Sequence, residues 1–337
     1  ECPAEKHEKD LTAKLYESLI ETGNLATRPN ILLISLDTLR ADHLGCYGYS
    51  RKTSPFMDRL ARYGTRFENV ISQSPKTAPS HMTMFTGLYP SQHKVHFVYE
   101  QGKEPRIVSL DPNIKTLAAL LKEKGYNTSA WTGGGQVAGE AGFDIGFDEY
   151  HEVMGSITEK KLVMVRDWII ENSDKPYFVF LHTYQIHDPY LPPDPYDEMY
   201  DPNYEGWIIG DRDKLTAVAE GKDFASLHKA FWKKSDGEID TSLFSDEDVE
   251  HLKALYDGGI AYTDKVLEKF FADLAGYYLL KNTIIIITSD QGEEFMEHGG
   301  FLHKRLYRET LHVPLIIFAP GRVPADKTVS GRARLID

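Results

Sequence analysis

Two short aliphatic runs, Ile31–Leu36 and Ile284–Thr288, each deliver an acid at their carboxyl end: Asp37 directly, and Asp290 after Ser289. Unbroken apolar runs of this length predict strands buried on both faces, the habit of parallel sheets covered by helices. Similar runs recur at Tyr126–Trp131, Tyr177–Leu181 and Leu315–Phe318. Helix-period segments lie between them. These are Phe56–Tyr63 closed by Gly64, Ile114–Lys124 between an Asn113 cap and Gly125, and Thr158–Asn172. A long one opens with Ser245 and Asp248 in capping-box spacing and reaches Leu274, with Gly258-Gly259 expected to bend it. Strands alternating with helices predict an α/β fold, a mixed and mostly parallel sheet sandwiched between helices.

The 337 residues are enough for a large buried core. Residues 1–29 read as an N-terminal helical lead, with Leu11, Leu15 and Leu19 at helical spacing, and residues 30–337 as the main domain. Pro189–Gly237, rich in proline and tyrosine at its start, reads as an insertion over the sheet edge, either a plain surface loop or a substrate wall. With 38 Lys+Arg against 51 Asp+Glu, and no basic run, a nucleic-acid partner is disfavoured. A small anionic substrate is not, because a bound cation reverses the field inside one cleft. No apolar run approaches the ~18 residues of a membrane span. Two cysteines, Cys2 and Cys46, exclude a disulfide framework and a cysteine zinc site. The start at Glu1 with Cys2 beside it is compatible with a processed export signal, which favours a periplasmic or secreted protein over a cytoplasmic one. The last residues read as a structured segment, so the chain is expected to continue beyond Asp337.

In open α/β sheets reactive groups collect at the carboxyl ends of strands, where Asp37 and Asp290 stand. Two such carboxylates suit a hard divalent cation: calcium, magnesium or manganese, with zinc as an alternative. The segment Lys76-Thr-Ala-Pro-Ser-His81 predicts a helix start, with Gly87 as its stop. Thr77 then sits where unpaired amides favour an anion, four residues from His81. A hydroxyl in that position beside a cation is a candidate nucleophile. His182, at the end of an apolar strand, reads as a satisfied core histidine, and Arg40 with Asp42 as a salt-bridged turn or a substrate contact.

Several motifs, in order, resemble one family. Asn30–Tyr49 resembles the opening of the sulfatase family, within the alkaline-phosphatase-like superfamily. Thr77-Ala-Pro-Ser-His81, continuing through Thr86–Ser91, resembles its nucleophile signature, and Phe180–Tyr190 its mid-chain histidine segment. Thr288–Glu294, Glu297-His-Gly299, Leu306-Tyr307 and Val313–Ile317 resemble its late metal-binding segment. The resemblance implies the same sandwich fold, with the smaller C-terminal subdomain mostly absent. It implies metal ligands at Asp37, Asp290 and Gln291, and a metal-bound nucleophile at Thr77, where sulfatases carry a formylglycine made from cysteine or serine. It implies a substrate-contacting histidine at His187 and a late basic residue at His303 or Lys304. His81 replaces the usual arginine, and Thr38 a second metal-binding aspartate found in many members.

The resulting expectation is a metal-dependent hydrolase of sulfate or phosphate esters acting on a small anionic ester. His187 protonates the leaving oxygen, while His81 and His303 or Lys304 stabilise charge. Threonine cannot become formylglycine, which moves weight toward phosphoryl esters. The alternatives are a phosphodiesterase or phosphoglycerol-type transferase, and a catalytically degenerate family member that binds an anion without turnover.

Overall fold

The computed structural model describes residues 13–15, 17, 27–98, 106–153, 159–208, 210, 241–280 and 282–337. The main strands are β1 (Asn30–Leu36), β2 (Thr65–Ile71), β3 (Asn127–Thr132), β4 (Glu149–Glu152), β5 (Tyr177–Thr183), β6 (Thr283–Thr288), β7 (His312–Phe318) and β8 (Lys327–Arg334). They form one eight-stranded sheet in the order β8-β2-β7-β6-β1-β5-β3-β4. Only β7 runs antiparallel to its neighbours, so the sheet is mixed and mostly parallel, as expected.

The five longer helices among the described residues are α1 (Pro55–Tyr63), α2 (Thr77–Thr86), α3 (Leu117–Glu123), α4 (Glu159–Glu171) and α5 (Asp246–Gly276). The pleat of β1 explains the sandwich. Leu32, Ile34 and Leu36 join one apolar cluster with α1, α4 and α5 residues such as Phe56, Ile169 and Phe271. Leu33 points the other way, into a cluster with Met82 and Phe85 of α2 and Ala118 of α3. A strand with apolar residues on both sides needs a helix layer on each. No described helix is long and apolar enough to cross a membrane.

Several expectations shift. The helix expected at Ile114 starts at Leu117, because the Thr116 hydroxyl accepts from the Ala119 amide as the cap. Asn113 instead folds back on Asp111. Ser245 and Asp248 do form a capping box. Gly258 does not end α5; a Cβ there would lie 2.2 Å from the Tyr196 carbonyl, so the glycine admits the backbone of the 190s segment. Of the N-terminal lead, Leu15 is buried in the core, and Leu11 and Leu19 lie outside the described residues. Most of the expected insertion also lies outside them. Its described start has no helix or strand, yet Tyr190, Leu191 and Ile208 are buried, Tyr190 and Ile208 within the main apolar cluster, so this part is packed rather than a loose surface loop.

Candidate active site

Parallel register places the carboxyl ends of β1, β5 and β6 side by side: Ser35 pairs with both His182 and Thr288. The residues that follow, Asp37 and Asp290, therefore converge although 253 positions separate Ser35 from Thr288. Both aspartates are fully buried. The Thr38 amide points at Asp290 Oδ1 across 3.4 Å, and Ser289 Oγ accepts the Leu39 amide at 3.0 Å, which stitches the two strand ends together.

Helix α2 is docked on this floor by its second turn. Ser80 Oγ donates to the Asp290 carbonyl at 2.6 Å and lies 2.9 Å from Ser72 Oγ. That brings Thr77, the first helical residue, over the aspartates. Gln291 Nε2 donates to Thr77 Oγ1 at 3.2 Å. Thr77, Gln291 and Glu293 are also fully buried.

The oxygens left over define what the cleft can hold. Asp37 Oδ1, Asp290 Oδ2, Gln291 Oε1 and Glu293 Oε2 are buried side-chain oxygens with no hydrogen-bond partner. Buried acceptors without donors are costly, and two ionised carboxylates side by side more so. Burial pushes the Asp37 carboxyl up to about 6, although His187 and His303 pull it down. Burial, then the charge of Asp37, pushes Asp290 up to about 7. A hard divalent cation suits buried oxygens of this kind, and those of Asp37, Asp290 and Gln291 make a donor set that fits a group of that class.

The two histidines nearest the aspartates are not free ligands. Asp37, His81 and His182 have atoms within 4.8 Å of one another, a spacing that invites a metal reading. However, His182 Nδ1 accepts the Gly133 amide at 3.3 Å, so Nε2 carries the proton and donates to Asp37 Oδ2 at 3.1 Å. His81 Nδ1 faces the Thr77 carbonyl at 2.9 Å and must donate, leaving Nε2 to accept from Ser35 Oγ at 2.8 Å. His182 thus fulfils the expectation of a satisfied core residue, but it also holds a proposed ligand in place.

His81, expected to stabilise charge, is fully buried. Burial holds its imidazole down at about 4, despite Asp290 3.4 Å away, and its two ring nitrogens, on the Thr77 carbonyl and Ser35 Oγ, brace α2 against β1. Thr38 does not substitute for a second aspartate: its hydroxyl turns back to the Asp37 carbonyl at 2.8 Å.

The other side of the cleft carries the remaining candidates. His187 and His303 stand with ring centres 5.0 Å apart. His187 Nδ1 donates to the Asp188 carbonyl at 2.7 Å and lies 3.0 Å from its carboxylate. Burial opposes the charged ring, but Asp188, Asp37 and Glu293 hold its proton affinity well above the usual imidazole value. His303 Nδ1 lies 3.1 Å from Glu293 Oε1. Between the two late basic candidates, His303 is buried at the cleft, whereas Lys304 is exposed at the mouth, within electrostatic reach of Lys76. Arg40 and Asp42 form the expected salt-bridged turn, and the same guanidinium also reaches Glu297 at 2.6 Å and the Glu293 carbonyl at 3.0 Å.

Sequence reasoning overlooked Glu293, Asp188 and Tyr184. Glu293 had a signal, since it stands three residues past Asp290 on the same strand-end loop. Tyr184 had none: it packs on the Gly133–Gly135 loop at the end of β3, its hydroxyl donating to the Gly134 carbonyl at 3.1 Å.

Comparison with known proteins points in one direction. A family model described as Sulfatase matches residues 29–337. Arylsulfatase K of Canis lupus familiaris is 24% identical over 94% of this chain and 62% of its own length, so the chain spans about three fifths of that relative. Among solved structures, a phosphonate monoester hydrolase of Agrobacterium radiobacter superposes with a TM-score of 0.70 at 23% identity, covering 92% of this chain and 72% of that one. A structure in complex with its substrate D-glucosamine-2-N,6-O-disulfate gives 0.70 at 20% identity, covering 92% and 75%.

Proposed function

The chain belongs to the sulfatase family, and from that premise we propose that it is a metal-dependent hydrolase of sulfate or phosphate esters with Thr77 as its nucleophile. The observation that carries this reading is the set of partnerless buried oxygens on Asp37, Asp290 and Gln291 beside the Thr77 hydroxyl. Those three residues, with Thr77, would hold a divalent cation: calcium, magnesium or manganese by donor chemistry, with zinc as an alternative. When bound, such an ion lowers the pKa of a neighbouring hydroxyl and offsets anionic charge.

The chain's own residues supply the rest. The Gln291 amide aligns the Thr77 hydroxyl, and the first turn of α2 offers unpaired amides to the ester's oxyanion. Thr77 attacks in line, its hydroxyl proton passing to the Asp37 carboxylate it is hydrogen-bonded to. His187, kept protonated by Asp188, gives its proton to the leaving oxygen. His303 is placed to neutralise charge on the transferred group, with Lys304 and Lys76 drawing the anion to the mouth. His187, now neutral, takes a proton from the water that cleaves the ester of Thr77, and the freed Thr77 oxygen recovers its proton from Asp37. The described part of the 190s segment, with Tyr190 packed on Tyr256 and Phe295, forms a wall beside this cleft.

A sulfated threonine has no internal exit, because it lacks the second hydroxyl of an aldehyde hydrate. A phosphorylated one is hydrolysed by ordinary in-line attack, so phosphate esters are the favoured class. Matched aryl sulfate, phosphate monoester and phosphodiester assays test this. Metal-dependent phosphoester turnover that Thr77→Ala removes is expected. Sulfate turnover removed by the same change would overturn the phosphoryl preference, and metal binding without any turnover would favour a degenerate anion-binding member. That second reading draws on Thr38, Gln291 and His81, which depart from the residues the family usually places there.

A further inference from the structure

We propose that Glu293 is a positioning residue for His303, fixing its imidazole through Nδ1 so that Nε2 is presented to the anion at Thr77. This role presupposes turnover at Thr77, as proposed above.

Local folding makes the pair. Glu294–Phe295 and Phe301–Leu302 form a small antiparallel ladder in which Leu302 faces Glu294 and Phe301 faces Phe295. One step further along that register sets Glu293 opposite His303. Their side chains meet, with Oε1 3.1 Å from Nδ1. The backbone that carries Glu293 is clamped. Arg40 donates to its carbonyl at 3.0 Å, and the Gly292 amide donates to the Thr310 carbonyl at 2.9 Å. A Cβ at Gly292 would lie 2.0 Å from the Glu309 carbonyl, so the loop cannot shift outward without the glycine. A fully buried carboxylate on so fixed a loop takes the Nδ1–H and sets how the ring is turned, so that the Nε2–H of the imidazolium faces the anion. Among the described residues no hydrogen bond reaches His303 Nε2. His187 is anchored in the same manner, Nδ1 to Asp188, so two imidazoles 5.0 Å apart are each held from behind by an acid.

The test is a double-mutant cycle on the full chain, read as kcat and KM with an aryl phosphate ester, alongside Mn²⁺ affinity by calorimetry. Carboxylates that orient a metal-bound histidine are worth about 10–100-fold, and by the same orienting effect Glu293→Ala should lower kcat by about that factor with little change in KM. Glu293→Gln keeps an acceptor for Nδ1–H and should recover most of that loss. Glu293→Asp keeps the charge but withdraws the oxygen by a methylene, and should behave like alanine; it serves if the alanine variant does not fold. In a His303→Ala background, Glu293→Ala should cost less than about threefold, because coupled residues are not additive. Losses that multiply in the double variant would overturn the proposal. So would a tenfold or greater fall in Mn²⁺ affinity, which would make Glu293 a ligand instead. If Thr77→Ala abolishes turnover while Glu293→Ala does not lower it, this inference fails alone. If Thr77→Ala leaves turnover intact, the nucleophile assignment fails first.

Discussion

Gln291 Nε2 donates to Thr77 Oγ1 across 3.2 Å, joining two residues 214 positions apart at the floor of the cleft. The bond ties the helix that carries the hydroxyl to the strand end that carries Asp290. Thr77→Ala should therefore remove turnover by at least ~10³-fold, as loss of a nucleophile does. Thr77→Ser should retain activity, since it keeps the hydroxyl and drops only a methyl. Steady-state kinetics on the three proteins checks this, with equal melting temperatures for serine and wild type as the control.

The fold was legible because strand signals dominate: Ile31–Leu36 and Ile284–Thr288 read as buried strands, and the acids after them mark their carboxyl ends. Which partners those acids meet was not legible. Asp37 is held by His182 from β5 at 3.1 Å, a pairing set by sheet register rather than by spacing along the chain. The lowered proton affinity of His81 was equally hidden, since it depends on complete burial between its own helix, α2, and β1. Tyr184 meets Gly133 only because β3 lies beside β5.

Chelation should destabilise the folded protein as well as silence it. A cation that binds only the native state at a hundredfold excess over its Kd adds about 2.7 kcal/mol. Adding calcium or manganese to stripped protein should raise the Tm by several degrees, and Asp37→Asn or Asp290→Asn should abolish that rise. Differential scanning fluorimetry with and without chelator reads it directly.

Asp264, on α5, caps α1 from outside: its two oxygens accept the Phe56 and Met57 amides at 2.8 Å. Burial nonetheless pushes this carboxyl from 3.8 up to about 8. Between those values the folded chain holds a proton that the unfolded chain releases. The contribution is thus complete below 3.8 and is lost as pH rises through about 8. Stability relative to Asp264→Asn should fall over that window by at most about 1.4 kcal/mol per pH unit. Urea melts of both proteins from pH 5 to 9 check the sign.

Gly133 accepts no side chain: a Cβ there would lie 2.4 Å from the Tyr184 ring. Gly133→Ala should force that ring, and with it the Gly133 amide bond to His182, out of place. A cost of about 1–3 kcal/mol is expected from overpacking. Turnover should drop as well, because His182 then no longer steadies Asp37. Tyr184→Ala combined with Gly133→Ala should recover part of the stability but not the activity.

The most direct test of the account is the position of the ion itself, read by anomalous diffraction from Mn²⁺-soaked crystals. A single strong peak is predicted at coordination distance, about 2.0–2.6 Å, from Asp37, Asp290 and Gln291 oxygens, beside the Thr77 hydroxyl. A cleft without a peak, or a peak held by the His81 and His182 nitrogens away from Thr77, would contradict it.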